Sequence, residues 1–217
     1  KVLTYGDLLS SDTWTGHIPK FVVAMRTQIR ENLGDWYSLY TAFGDDKSRE
    51  ILLDIMLFRA TADLSYMSNY SLRFRDQYFE DFMGYSEEVF VDVGGFTGDT
   101  TEIFCVNYPN FKKVHFFEPS LVNYKEAKTR LAGFRDINFN CKGVSDKREK
   151  LFFNSTAGSC SSIQEKGEEM IETIVLDNFV KEPVTFIKID IEGWELKALE
   201  GCTGHIKKNK PKLAIAA

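Results

Sequence analysis

VFVDVGGFTGDT, residues 89–100, is the stretch on which the fold turns. Val89, Phe90 and Val91 begin a buried strand that closes on an acid, Asp92. A turn holding Gly94, Gly95 and Gly98 then opens a helix. Glycines permit φ > 0 and let a ligand come close to the backbone. N–H groups at a helix start attract a carboxylate. An acid in such a turn can hold an ammonium or a bound water. Dinucleotide sites set their glycines directly after the strand, as G-x-G-x-x-G. The order here is D-x-G-G-x-x-G, which favours a zwitterionic ligand over a pyrophosphate. An ordinary βα turn can carry the same glycines, so the neighbouring segments decide.

Working outward, VHFFEP (114–119) predicts the next strand, ending in Glu118, 20 residues after Gly98. An acid at that place in a nucleoside-binding α/β fold accepts hydrogen bonds from both ribose hydroxyls. Ser120 is a good N-cap for a following helix, with Leu121, Tyr124, Lys128 and Leu131 at helical spacing. A third segment, FIKIDIEGWE (186–195), is apolar at its start and charged at its end: Lys188, Asp190, Glu192 and Glu195. Central parallel strands are apolar because both faces are covered. Ligands bind outside the carboxyl ends of such strands. Lys188, Asp190 and Glu192 alternate, so an extended chain turns them to one side.

Around these segments the pattern alternates. Strands are predicted at 88–93, 113–118, 136–142, 184–190 and 212–216, with helices at 98–107, 120–132 and 194–207. The alternation implies a parallel sheet. Two further strands, 149–154 and 170–175, flank a Ser/Gly-rich loop in which Ser159, Ser161 and Ser162 are candidate contacts for a polar substrate. Residues 1–84 differ. Apolar spacings of three and four across 20–42, a cap at Asp45 or Asp46 before Ile51–Ala60, and another at Asp63 predict a helical N-terminal part. The expected organisation is a helical part over 1–84 and an α/β domain over 85–217.

A net charge of −5 and a pI near 5.4 disfavour nonspecific nucleic-acid binding, which relies on clustered Lys and Arg. No run of about 18 apolar residues predicts a membrane span. Cys105, Cys141, Cys160 and Cys202 form no C-x-x-C pair and are expected as reduced thiols of a cytoplasmic protein. His17, His115 and His205 are far apart, so no metal is expected.

Taken together, VDVGGFTGDT (91–100), FFEPS (116–120), KGVSD (142–146), FIKIDIEGWELKALEG (186–201) and KPKLAIA (210–216) resemble the FkbM-type methyltransferases. RDQYFEDF (75–82) resembles the aromatic segment that precedes the first strand in that family. The resemblance implies a Rossmann-like, doubly wound α/β methyltransferase sheet. It implies S-adenosylmethionine as cofactor and O-methylation of a sugar, glycan or related natural product. On that reading Asp92, Gly94, Gly95, Phe96, Thr97, Gly98, Asp99 and Thr100 form the methionine end of the site. Glu118 and Pro119 take the ribose, Val144, Ser145 and Asp146 the adenine, and Tyr78 with Phe79 covers the cofactor. Asp190 is the first candidate for general base, then Glu192 and Glu195, with Lys188 as electrostatic partner.

The complete sheet of such enzymes has two more strands, which this sequence is expected to lack. Further domains of a longer chain, or a second copy, are the expected completion. The alternatives left open are a nicotinamide-dependent oxidoreductase, because Glu118 also suits an NAD ribose, and a non-catalytic binding module on the same fold.

Overall fold

The computed structural model describes residues 16, 18–71, 73, 77–154, 162–164 and 169–216. His17, Arg75, Asp76, Cys160, Ser159, Ser161 and the side chain of Ser162 lie outside the described residues. The chain divides into two compact units, Lys1–Leu72 and Arg73–Ala217. The joint read near Gly84 therefore falls inside the second unit.

The first unit is helical: α1 (Lys20–Glu31), α2 (Leu33–Ala42) and α3 (Asp46–Thr61), then a short 3₁₀ turn at Leu64–Met67. The single pattern read over 20–42 is broken at Asn32, whose φ of −124° leaves the helical range. Asp45 caps α3 by accepting the Ser48 N–H at 2.8 Å. Asp63 caps the 3₁₀ turn through the Ser65 N–H. Phe21 stacks on Phe58 at 6.2 Å, and the Arg26 guanidinium donates to the Ala60 carbonyl, tying α1 to the end of α3.

The second unit is built on a five-stranded parallel sheet. Its strands are β1 (Val89–Val93), β2 (Lys113–Phe117), β3 (Ile137–Asn140), β8 (Phe186–Ile189) and β9 (Lys212–Ile215), in the order β3-β2-β1-β8-β9. All of β1 and β8 is buried, as strands covered on both faces must be. Period-two alternation divides their side chains. Phe90 and Phe186 are register partners and stack at 4.7 Å, in a cluster with Phe79 and Phe104. Val91, Val93, Ile187 and Ile189 face the opposite cluster with Leu176 and Ala198. Each fully buried side chain of this size is worth roughly 1.5–3 kcal/mol. Asp92 and Lys188 are the next register pair on the phenylalanine side, which carries two charges into the interior at the strand ends.

Helices α4 (Asp99–Asn107) and α5 (Leu121–Arg130) follow β1 and β2. A second sheet, β4-β7-β5-β6, joins β4 (Gly143–Val144), β5 (Lys150–Asn154), β6 (Ser162–Gln164) and β7 (Glu169–Ile174). The strand read over 136–142 therefore ends early, and its continuation pairs with β7 instead. After the short α6 (Leu176–Phe179), the helix read over 194–207 is two helices, α7 (Glu195–Gly201) and α8 (Thr203–Asn209). The break has a cause: the Asp177 carboxylate accepts the Gly204 and His205 N–H groups at 2.6 and 2.8 Å, holding the start of α8. β9 stands at one edge of the parallel sheet. Strand order reverses between β1 and β8, and that switch point is where open α/β sheets bind ligands.

Candidate active site

The turn after β1 is held from below. Gly94 and Gly95 N–H groups both donate to the Phe117 carbonyl at 3.0 Å. Gly94 has φ +77°, and a Cβ there would stand 2.0 Å from the Asp190 carbonyl oxygen. Only glycine lets the loops after β1 and β8 touch in this way. Gly95 lies against the Phe116 ring and Gly98 against Leu131 and Ala127. The Thr97 carbonyl accepts from Arg130. Gly95, Thr97 and Gly98 therefore shape the turn, while Gly94, Phe96, Asp99 and Thr100 line the cleft.

Lys188 is committed to this turn. Its ammonium donates to the Gly94 carbonyl at 2.7 Å and lies 3.0 Å from Asp92 Oδ1. The second contact is an ion pair without hydrogen-bond alignment, so Oδ1 has a countercharge and no aligned donor. Asp92 Oδ2 accepts from Thr101 at 2.6 Å. Both ionic side chains are buried. Lys188 thus braces the glycine turn.

Glu118, at the end of β2, is buried yet lines the cleft. Its oxygens accept the Phe96 N–H at 3.0 Å and the Ser120 N–H at 2.8 Å. Burial pushes its carboxyl up to about 7, against the lowering effect of those N–H groups. Pro119 lines the cleft beside it. A buried carboxylate bonded only to neutral donors retains acceptor capacity on both oxygens.

Tyr78 and Asp190 form the opposite side. The Tyr78 hydroxyl donates to Asp190 Oδ2 at 2.6 Å, and the Lys188 ammonium sits 5.4 Å from the Tyr78 ring centroid. Burial, then the Asp190 hydrogen bond, holds the Tyr78 phenol well above its ordinary value. It stays protonated and remains a donor. Phe79 points away, into the phenylalanine cluster. Asp190 and Glu192 line the same cleft as Gly94 and Glu118.

Glu195 does not. Its carboxylate accepts the Ile191 and Gly193 N–H groups, which fixes the turn after β8 and removes it from the candidate bases. Of the three residues read for adenine, Val144 alone lines the cleft. Ser145 is fully buried, donates to the Asp146 carboxylate and accepts from the Trp194 indole N–H, and Asp146 is exposed. Sequence reasoning passed over Gln77, Asn123, Lys142, Ile191 and Trp194, which also line the cleft. Asn123 had a usable signal, since it sits one helical turn after Ser120 in a helix starting beside Glu118.

The donor set fits a nucleoside with an amino-acid tail. Glu118 offers two acceptor sites for a diol. The first turn of α4 offers N–H groups to a carboxylate, and Asp99 offers acceptors to an ammonium. A 3-2-1 half-sheet continued by β8 and β9, with this cleft at its switch point, defines a Rossmann-like methyltransferase domain.

The comparisons with known proteins agree. A family model, the Methyltransferase FkbM domain, matches residues 92–216. The chain belongs to the FkbM methyltransferase family, whose methyl donor is S-adenosylmethionine. No curated protein matches the sequence significantly. Among solved structures, Methyltransferase FkbM from Methylobacillus flagellatus KT aligns with a TM-score of 0.75 and 24% identity, over 94% of this chain and 53% of its own. At that identity the likeness bears on the fold, and this chain spans about half the length of that protein. A SAM-dependent methyltransferase from Aquifex aeolicus aligns over 70% of this chain and 71% of its own, with 17% identity and a TM-score of 0.37, too loose a likeness to carry an argument. Family membership displaces the oxidoreductase alternative. Among the described residues no helix is long and apolar enough to cross a membrane.

Proposed function

We propose that this chain transfers a methyl group from S-adenosylmethionine to a hydroxyl oxygen of a sugar, glycan or related natural product. The observation that carries the reading is the pairing, in one cleft, of Glu118 with the Tyr78–Asp190 couple. When bound, S-adenosylmethionine supplies an electrophilic methyl group on a sulfonium. The protein's task is then to position an oxygen and take its proton. Asp190 is the base: Tyr78 holds Oδ2, which leaves Oδ1 for an acceptor hydroxyl. Glu192 stands next in line. Lys188 is spent on Asp92 and Gly94, and Lys142 is ion-paired with Glu172. The cleft therefore offers carboxylates to hydroxyl hydrogens. It is poorly suited to nucleic-acid phosphates. The paired lysines support a small-molecule or glycan acceptor, and the buried reduced thiols of Cys105 and Cys202 support a cytoplasmic setting. The greater length of the solved FkbM protein supports further domains or a second copy as working partners.

Two measurements test this. Calorimetry should show S-adenosylhomocysteine binding and no binding of NAD(H); equal uptake of both, or of neither, refutes the reading. Methyl transfer to a panel of glycosides should then fall about 10²–10⁴-fold in Asp190→Asn, the usual worth of a positioned base, with nucleoside affinity unchanged. Loss of affinity instead makes Asp190 a cofactor ligand and passes the base role to Glu192. Binding without turnover on any acceptor would favour a non-catalytic module.

A further inference from the structure

We propose that Trp194 is the platform on which the base of the nucleoside stacks, and that Ser145 positions it. The inference rests on reading the cleft as an S-adenosylmethionine site and adds a residue to which that reading gave no role.

Trp194 immediately precedes α7 and lines the cleft next to Gly143 and Val144. The turn that delivers it is stiff. Glu192 and Gly193 are consecutive residues with positive φ, +53° and +97°. The Glu195 carboxylate ties the Ile191 and Gly193 N–H groups. The indole is then fixed at its edge, because Nε1–H donates to Ser145 Oγ at 3.1 Å. Ser145 has no freedom of its own: its N–H donates to the Ile174 carbonyl. A Cβ on Gly201 would stand 2.0 Å from the Ser145 carbonyl oxygen, so the end of α7 packs directly on that backbone. The Lys197 ammonium lies 3.9 Å from the ring centroid, over a face of the indole.

An aromatic ring held at its edge, with a cation on a face, at a cleft wall is pre-organised for a flat ligand. The polar groups that sequence reasoning gave to the base are otherwise engaged, Ser145 by the indole and Asp146 by Ser145. Base–aromatic stacking needs no hydrogen bond from the protein, because every base has a π-face.

The test is a fluorescence titration beside calorimetry, with S-adenosylhomocysteine as probe. The tryptophans are Trp14, Trp36 and Trp194, so the Trp194 signal is the difference between the parent and Trp194→Phe. S-adenosylhomocysteine should quench that signal at the calorimetric midpoint, and methionine, which has no base, should not. Trp194→Phe keeps a ring and should hold most of the affinity. Trp194→Ala should bind roughly 5- to 150-fold more weakly, the range of one base–aromatic stack. Ser145→Ala should shift the Trp194 emission and weaken binding less than Trp194→Ala does. No uptake of S-adenosylhomocysteine by the parent would bring down the cofactor reading itself. Uptake with an unquenched difference signal, and a Trp194→Ala variant as tight as the parent, would overturn the role of Trp194 alone. Should circular dichroism show Trp194→Ala unfolded, quenching in the parent decides.

Discussion

At the scale of single residues, Glu118 makes the sharpest demand. Its carboxyl is raised to about 7, chiefly by burial. An unfolded glutamate ionises near its ordinary value, so between there and about 7 the folded protein binds the extra proton. Stability of the ligand-free protein therefore falls as pH rises through that window, and Glu118→Gln should flatten the slope in thermal melts. Ribose hydroxyls donate to the ionised form, so ligand affinity runs the other way. Affinity for S-adenosylhomocysteine should strengthen about tenfold from pH 6 to pH 8, with proton release on binding. Glu118→Ala should weaken it by about one to two orders of magnitude, since hydrogen bonds to charged groups contribute roughly 1.5–3 kcal/mol. A pH-independent affinity, or an Ala variant that binds like the parent, would remove Glu118 from the site.

At the scale of elements, the site depends on two strands in register. β1 and β8 align Asp92 with Lys188 and Phe90 with Phe186, so one packing decision sets both core and turn. Lys188→Met leaves a buried carboxylate without its countercharge, a change that typically costs 3–5 kcal/mol. The double variant Asp92→Asn, Lys188→Met removes both charges and should recover much of the loss in denaturant melts. If the single variant melts like the parent, the ion pair contributes little to the fold.

The same scale explains what could be read from the chain. β1 and β8 were legible because strands buried on both faces carry unbroken apolar runs, and Glu118 because ribose acceptors fall at a set distance from the turn. The roles of Lys188, Glu195 and Ser145 were not. In sequence Lys188 reads as the electrostatic partner of the candidate bases, and only the register with Asp92 shows where it goes. Glu195 did carry a local signal, since an acid in the first turn of a helix often takes up N–H groups beside it. Ser145 is turned by a residue 49 positions away, and Cys202 breaks a helix because Asp177 holds the next one. Contacts of that range leave no periodicity in the sequence.

At the scale of the whole molecule, the cleft belongs to one unit. Its lining runs from Gln77 to Trp194, within the unit Arg73–Ala217. That unit contains both apolar clusters flanking β1 and β8 and the segment 73–84 that supplies Tyr78. The packing of Phe79 on Phe104 and Phe186, and the Tyr78–Asp190 hydrogen bond at 2.6 Å, anchor that segment to its own unit. A fragment beginning at Arg73 should therefore take up S-adenosylhomocysteine as the full chain does. One beginning at Tyr85, the start of the α/β domain read from sequence, loses Tyr78 and Phe79 and should bind more weakly and melt lower. Calorimetry and thermal melts on the two fragments separate the cases. A fragment from Arg73 that binds more than about tenfold more weakly than the full chain, a deficit of about 1.4 kcal/mol, would show that the helical unit contributes to the site.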